Sequence, residues 1–259
     1  ITDTEYVDAA LYWTGPDGRT LMYVTEDFEP AMTVGAYAPQ MFDARLQRLI
    51  NEAETDGVVE IPSGDDYGPA LVPLEKGALT LRPAEGATVT IHGLWSSPAL
   101  TLEGPATVER LTIADGMAEN GGGVCGAGTA TVRAGVIREN IATQSGGGVY
   151  GVTALNCTFV SNAAPRGAAA ANSTVRASIG VTADQKLDAC EKVDWFTAAE
   201  GDFTDFAHGD YSIPEKNWKR FAATDIGWAK GAYRAGTVDL AGRPTVRRIA
   251  GEYVALAGA

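Results

Sequence analysis

The sequence predicts an all-β fold, a right-handed parallel β-helix (solenoid) with an N-terminal amphipathic capping helix and an irregular C-terminal closing segment. Three observations carry this. First, VVEIP, ALTLR, TVTIHG, ALTLEG and TVERLTI are short alternating or β-branched runs separated by Gly, Pro, Ser or Asp, which reads as many short strands. Second, TVERLTI begins at Thr107, TVRAGVI at Thr131, TALNCTF at Thr153 and TVRASIG at Thr174, in steps of 24, 22 and 21 residues. Such a step is too short for a sandwich repeat and holds no helix, but it suits one coil of a parallel solenoid. Third, the offsets inside each copy agree. Ile113, Ile137 and Phe159 are equivalent, and Gly116, Asn140 and Asn162 follow three residues later. A left-handed hexapeptide helix would show an apolar residue every six positions, and that period is missing.

Each element follows in order. Residues 1–40 form a segment of unassigned role, in which TEYVDAALYW suggests an early strand and GPDG a turn. Residues 41–57, MFDARLQRLINEAETDG, place Leu46, Leu49, Ile50 and Ala53 on one helical face, with Gly57 as terminator. A helix of three to four turns there would cover the open core and unpaired edges of the first coil. Residues 58–194 form the coils and 195–259 the closing segment, all within one domain. In stacked coils Asn140 and Asn162 are expected to form a turn ladder, with Asn in the left-handed region and its amide bonded to the next coil. The small-residue runs that begin at Gly121, Gly146 and Gly167 are expected to make the tight corner.

Composition narrows the function. The chain has 259 residues and a formal net charge of -13, which argues against nucleic acid, whose phosphates need a Lys/Arg footprint. It also disfavours adhesion to anionic lipid. No apolar run reaches the roughly 18–20 residues that span a bilayer, so no direct membrane insertion is expected. The chain begins at Ile1, which fits either a removed signal peptide or a shortened chain. Cys125, Cys157 and Cys190 show no metal-binding spacing with His92 or His208, and small buried thiols are the expectation.

Three stretches carry a family resemblance. LQRLINEAETDGVVEIPSG resembles the entry signature of the pectin-lyase-like superfamily, an amphipathic helix leading into a strand that ends in Pro-x-Gly. FVSN at 159–162 and GGV at 147–149 resemble the FxxN and GGA(I/L/V) repeats of polymorphic outer-membrane proteins, with IREN at 137–140 a variant. GDYSI at 209–213 and VDLAGRP at 238–244 resemble the closing segment of secreted bacterial β-helix proteins. The chain departs from that pattern in ending EYVALAGA and in losing the double Gly, as RGAAA and then ADQKL. The resemblance implies an exported protein, secreted or at the cell surface of a Gram-negative type bacterium. It would act as an adhesin, stalk or module that binds a glycan or a host or cell-surface protein.

The same superfamily includes polysaccharide lyases and glycoside hydrolases, so catalysis is the alternative. Such chemistry needs carboxylates converging from adjacent coils, with an Arg or Lys to move a proton. Asp115 and Glu139 share an offset, and Arg138 and Arg166 lie close in sequence. The neighbouring Gly and Asn residues equally suit an ordinary acidic turn. Asp184, Asp188 and Glu191, with Asp194, form the densest acidic group and are the calcium candidates. No other cofactor is expected. Trp95, Trp195, Trp218 and Trp228 either pack the closing segment on the coils or offer platforms for sugar rings.

Overall fold

A computed structural model describes residues 10–14, 20–24, 41–42, 45–95, 97–211, 213–214, 217, 246–249 and 252–255. The GPDG turn, Trp218, Trp228 and residues 238–244 lie outside the described residues. Among the described residues the chain builds three long parallel sheets of seven, seven and six strands, visited in fixed rotation. The first is called the threonine sheet here and runs from Val58–Ile61 through Thr80–Pro83, Thr107–Glu109, Thr131–Arg133, Thr153–Leu155 and Thr174–Arg176 to Glu191–Val193. The second, the isoleucine sheet, contains Val89–His92, Thr112–Ala114, Val136–Arg138 and Thr158–Val160. The third contains Leu100–Leu102, Val124–Gly126 and Val149–Tyr150. This is a parallel β-solenoid, as the repeat predicts.

The register matches the sequence alignment: Thr107 pairs with Thr131, Thr131 with Thr153 and Thr153 with Thr174. Ile113 pairs with Ile137 and Ile137 with Phe159. The stack also extends beyond the four aligned repeats, since Thr80 and Val58 precede Thr107 and Glu191 follows Thr174. One expectation changes. TVERLTI is two strands rather than one, because Arg110 turns the chain at φ 55 between them. Ala134, Asn156, Ala177 and Asp194 do the same in later coils. Left-handed backbone is costly for a residue with a Cβ. It is held by bonds between coils, from the N–H of Arg110 to Arg133 O at 3.0 Å and from that of Ala134 to Leu155 O at 2.9 Å.

Inside the coils, like stacks on like. Leu81, Val108, Val132, Ala154 and Val175 line one wall, Ile91, Ile113, Ile137 and Phe159 a second, and Leu100, Val124, Val149 and Ala170 the third, all fully buried. The helix, Arg45–Glu52, closes the N-terminal end, with Leu46 and Ile50 buried in the core and Leu49 and Ala53 packed against it. Gln47 stands in for a missing strand. Its side chain accepts from Leu71 N at 2.8 Å and donates to Leu71 O at 3.0 Å, which satisfies an exposed strand edge. Lys76 Nζ donates to the carbonyls of Asn51 and Ala53 at 2.7 and 2.6 Å, where a cation complements the helix C-terminus. The helix has eight residues, about two turns and not three to four. Asp56, at φ 57, supplies the left-handed turn assigned to Gly57, and its carboxylate accepts from Ala78 N at 2.6 Å.

At the other end Trp195 packs its ring 5.8 Å from that of Phe159. Gly180 leaves that space, since a Cβ there would lie 2.4 Å from Trp195 Cζ2. The segment after Phe196–Ala198 does more than close the end. Phe203 and Ile213, with Phe206 and Tyr211 beside them, cover Val160, Ile179, Val181 and Ala198, forming a second apolar cluster on the outer face of the isoleucine sheet. Within residues 1–40, Ala10–Thr14 and Thr20–Val24 pair as an antiparallel hairpin, and Met41–Phe42 adds a third strand. Val246–Ile249 and Glu252–Ala255 pair antiparallel near the C-terminus.

Candidate functional site

The expected Asn ladder exists but is built differently. Asn140 and Asn162 are buried, and the left-handed residues are their predecessors, Glu139 and Ser161. With the predecessor turning the chain, the amide points inward. Asn140 Oδ1 accepts from Gly116 N at 2.9 Å, and its Nδ2 donates to Ile113 O at 3.1 Å. Asn162 repeats this one coil along, accepting from Asn140 N at 3.1 Å and donating to Ile137 O at 2.8 Å. Gln185, which the sequence alignment misses, ends the ladder: its Oε1 lies 3.0 Å from Asn162 Nδ2 and its Nε2 donates to Asn162 O at 3.0 Å. Gly121, Gly146 and Gly167 all have positive φ, at 68, 69 and 61. A Cβ on Gly121 would sit 2.5 Å from Val124 O. These residues are structural.

The register of Ala114 with Arg138 brings Asp115 and Glu139 to one corner, both left-handed at φ 55 and 57. Neither carboxylate stands alone. His92, in register with Ala114 on the preceding coil, places Nδ1 2.5 Å from Asp115 Oδ2. Arg138 pairs with Glu139. Tyr211 reaches this corner from the covering segment. Burial pushes its hydroxyl pKa up, with Arg138 lowering it and Glu139 raising it by their charges. Trp95 N donates to Asp115 O at 2.8 Å, and its own left-handed φ of 55 turns the chain there. Trp95 stays 44% exposed. Met117, just past the corner, is also exposed.

Arg166 does not join this group. It bridges to Ser145, at the far end of Ile141–Ser145, about 13 Å along the strand from the Glu139 corner. The calcium candidates also fall in different parts of a coil. Asp184 lies in a turn, Asp188 in a strand of the third sheet and Glu191 in the threonine sheet. Among the described residues no three His, Cys, Asp or Glu gather as a metal site. All three thiols are free. Cys157 is fully buried, which pushes its pKa up to about 12; Cys125 and Cys190 are half-buried and raised, also by desolvation. His208 is exposed and pairs with Asp205.

Of the signals missed in sequence, His92 had one: it ends a strand whose aligned partners lead into Asp115. The exposure of Trp95 had none, because a loop aromatic reads alike whether packed or free. Among the described residues, no helix is long and apolar enough to cross a membrane. Comparison with family models, curated proteins and solved structures gives no match.

Proposed function

We propose that the chain is a non-catalytic, exported β-solenoid module that binds a glycan at the corner formed by Trp95, Asp115, Arg138 and Glu139. The observation that carries this is the exposed Trp95, whose backbone N–H bonds Asp115 O at the corner that holds the His92–Asp115 contact and the Arg138–Glu139 ion pair. An exposed aromatic face stacks on a sugar ring. Paired carboxylates and cations hold their positions and still offer lone pairs and N–H groups to sugar hydroxyls. Kinship with pectin-lyase-like and polymorphic outer-membrane proteins, and a place on a bacterial surface as adhesin or stalk, belong to the same proposal. They rest on the FVSN and GGV repeats. The test is a glycan array followed by titration of the hits by tryptophan fluorescence. Trp95→Ala should abolish binding with the circular dichroism spectrum unchanged. A flat array, or hits that Trp95→Ala leaves intact, would sink the proposal.

A second reading has its own observation. Asp115 and Glu139 stand on adjacent coils at one corner, with His92 and Arg138 in contact with them. A polysaccharide lyase or glycoside hydrolase would use such groups for proton transfer. Polysaccharides incubated with the protein would then yield unsaturated products or new reducing ends. Asp115→Asn and Glu139→Gln would each stop that release. Absence of any release across acidic and neutral glycans would exclude this reading.

A further inference from the structure

The charges at the Trp95 corner narrow what it can take. The two basic groups described there are each engaged with a carboxylate. His92 Nδ1 lies 2.5 Å from Asp115 Oδ2, and Arg138 pairs with Glu139. Glu139 is the more exposed member of its pair. A further carboxylate, Glu119, stands exposed two residues past Met117 and accepts from the amide of Gln144, a neutral group. Tyr211 adds a hydroxyl whose pKa burial pushes up, so it brings no charge at neutral pH. Three carboxylates, Asp115, Glu119 and Glu139, thus stand against two basic groups, in a chain whose net charge is -13.

Apolar surface lies next to these charges. Met117 and Ile141, two residues past Asp115 and Glu139 on their coils, pair in register, and Ile141 bridges to Ala163 one coil further. Met117 and Ala163 are exposed and Ile141 is half-exposed. The C–H faces of an uncharged sugar ring fit such a strip and the exposed Trp95. Its hydroxyls both donate and accept, so they suit ion pairs that keep spare lone pairs and N–H groups. A sugar carboxylate does not fit in the same way. To hold it, Arg138 would have to leave Glu139, and Glu139 would then stand against the incoming acid. Like charge set against like at an interface rejects the partner that carries it.

We infer that the ligand of this corner is a neutral glycan, and that the Arg138–Glu139 pair is the element that rejects uronate chains. This rests on the glycan reading of the site and gives it a substrate class. The rejection acts at two ranges. At a distance, the net charge of -13 opposes the approach of any polyanion, an effect that salt screens beyond about 10 Å at 0.1 M. At contact, Glu139 both occupies the guanidinium of Arg138 and presents its own charge. Removing that one carboxylate therefore changes the preference twice over, by freeing a cation and by deleting an anion.

The test titrates the full chain by calorimetry with neutral oligomers of glucose, xylose and N-acetylglucosamine, and with oligogalacturonate of matched length. Each is run at low and high salt, and the acid also with calcium and with EDTA. A neutral oligomer should bind about tenfold or more tightly than oligogalacturonate at low salt, with little dependence on salt. Glu139→Gln should improve oligogalacturonate binding about tenfold relative to the neutral oligomer. Adding Arg138→Gln to that variant should take the gain away. Glu75→Gln removes the same charge in the turn Leu74–Lys76, between the third sheet and the threonine sheet, and should leave the ratio unchanged. Oligogalacturonate bound as tightly as the neutral oligomers, with or without calcium, overturns the inference and leaves the glycan reading standing. So does a ratio that Glu139→Gln fails to move, or one that Glu75→Gln moves equally. Binding of neither class overturns both.

Discussion

Replacing Asn162 by Ala removes the middle rung of the amide ladder, and the structure sets the size of the loss. Asn162 is 4% exposed, and the residues it serves, Asn140 and Ile137, are both fully buried. Its Oδ1 accepts from Asn140 N at 3.1 Å and from Asn140 Nδ2 at 3.0 Å, and its Nδ2 donates to Ile137 O at 2.8 Å. Asn140 Nδ2 retains Ile113 O, and Ile137 O retains the ladder bond that the pairing of Arg138 with Val160 supplies, so one buried group, the Asn140 N–H, loses the partner described here. A buried orphan costs about 1–3 kcal/mol, so Asn162→Ala should destabilise by about 2 kcal/mol. Urea unfolding followed by far-ultraviolet circular dichroism measures this as a lower midpoint at unchanged slope. The Asn140→Ala, Asn162→Ala cycle should return a coupling of about 1–2 kcal/mol, because the two amides bond each other directly. A loss under ~1 kcal/mol for Asn162→Ala would refute the reasoning. It would mean that water replaces the rung and that the corner is held by the sheets alone.

Two other positions give sharp outcomes. The Cys157 thiol has its pKa raised from 9.0 to about 12 by burial, so the folded state keeps a proton that the unfolded chain gives up. Stability is therefore full below pH 9 and falls as pH rises from 9 towards 12, by about 1.4 kcal/mol per unit. Ser178 occupies the aligned position in the next coil, and Cys157 N donates to its Oγ at 3.0 Å, so Cys157→Ser should fold. That variant should lose this part of the alkaline slope; equal slopes in denaturant titrations of the two proteins would contradict the assignment. Gly116→Ala would put a Cβ 1.8 Å from Gly122 O, whereas a Cβ on Gly201 meets nothing within 4 Å. Thermal melts should show Gly116→Ala destabilised by about 3 kcal/mol or more and Gly201→Ala close to wild type, and equal melting temperatures would refute the close packing of that corner.

How much could be read from the chain follows from what a coil repeats. Each turn of the solenoid imposes the same backbone, so residues that face inward or make corners must recur, and they do. Thr107, Thr131, Thr153 and Thr174 fixed the register, and Gly121, Gly146 and Gly167 fixed a corner. Recurrence says less about which of two adjacent corner residues turns the chain. For that reason the repeat points to Asn140 as the left-handed residue, whereas Glu139 takes that conformation. It fails where coil length changes. From Thr174 to Glu191 the coil shrinks to 17 residues, so the ladder position is filled by the longer Gln185 and no Asn marks it. Arg166 departs from its expected place for a related reason. Closeness in sequence is not closeness in space, because Ile141–Ser145 separates its bridge partner from Glu139. The candidate site lies where the pattern breaks. His92 sits on a coil that lacks the TVxx pattern, Trp95 in a loop with no aligned counterpart, and Tyr211 in a segment outside the repeat. A repeat constrains the inside of a solenoid and leaves its outside free to vary. Single departures from the repeat, such as Trp95 against its surroundings, are therefore the first places to look for a ligand.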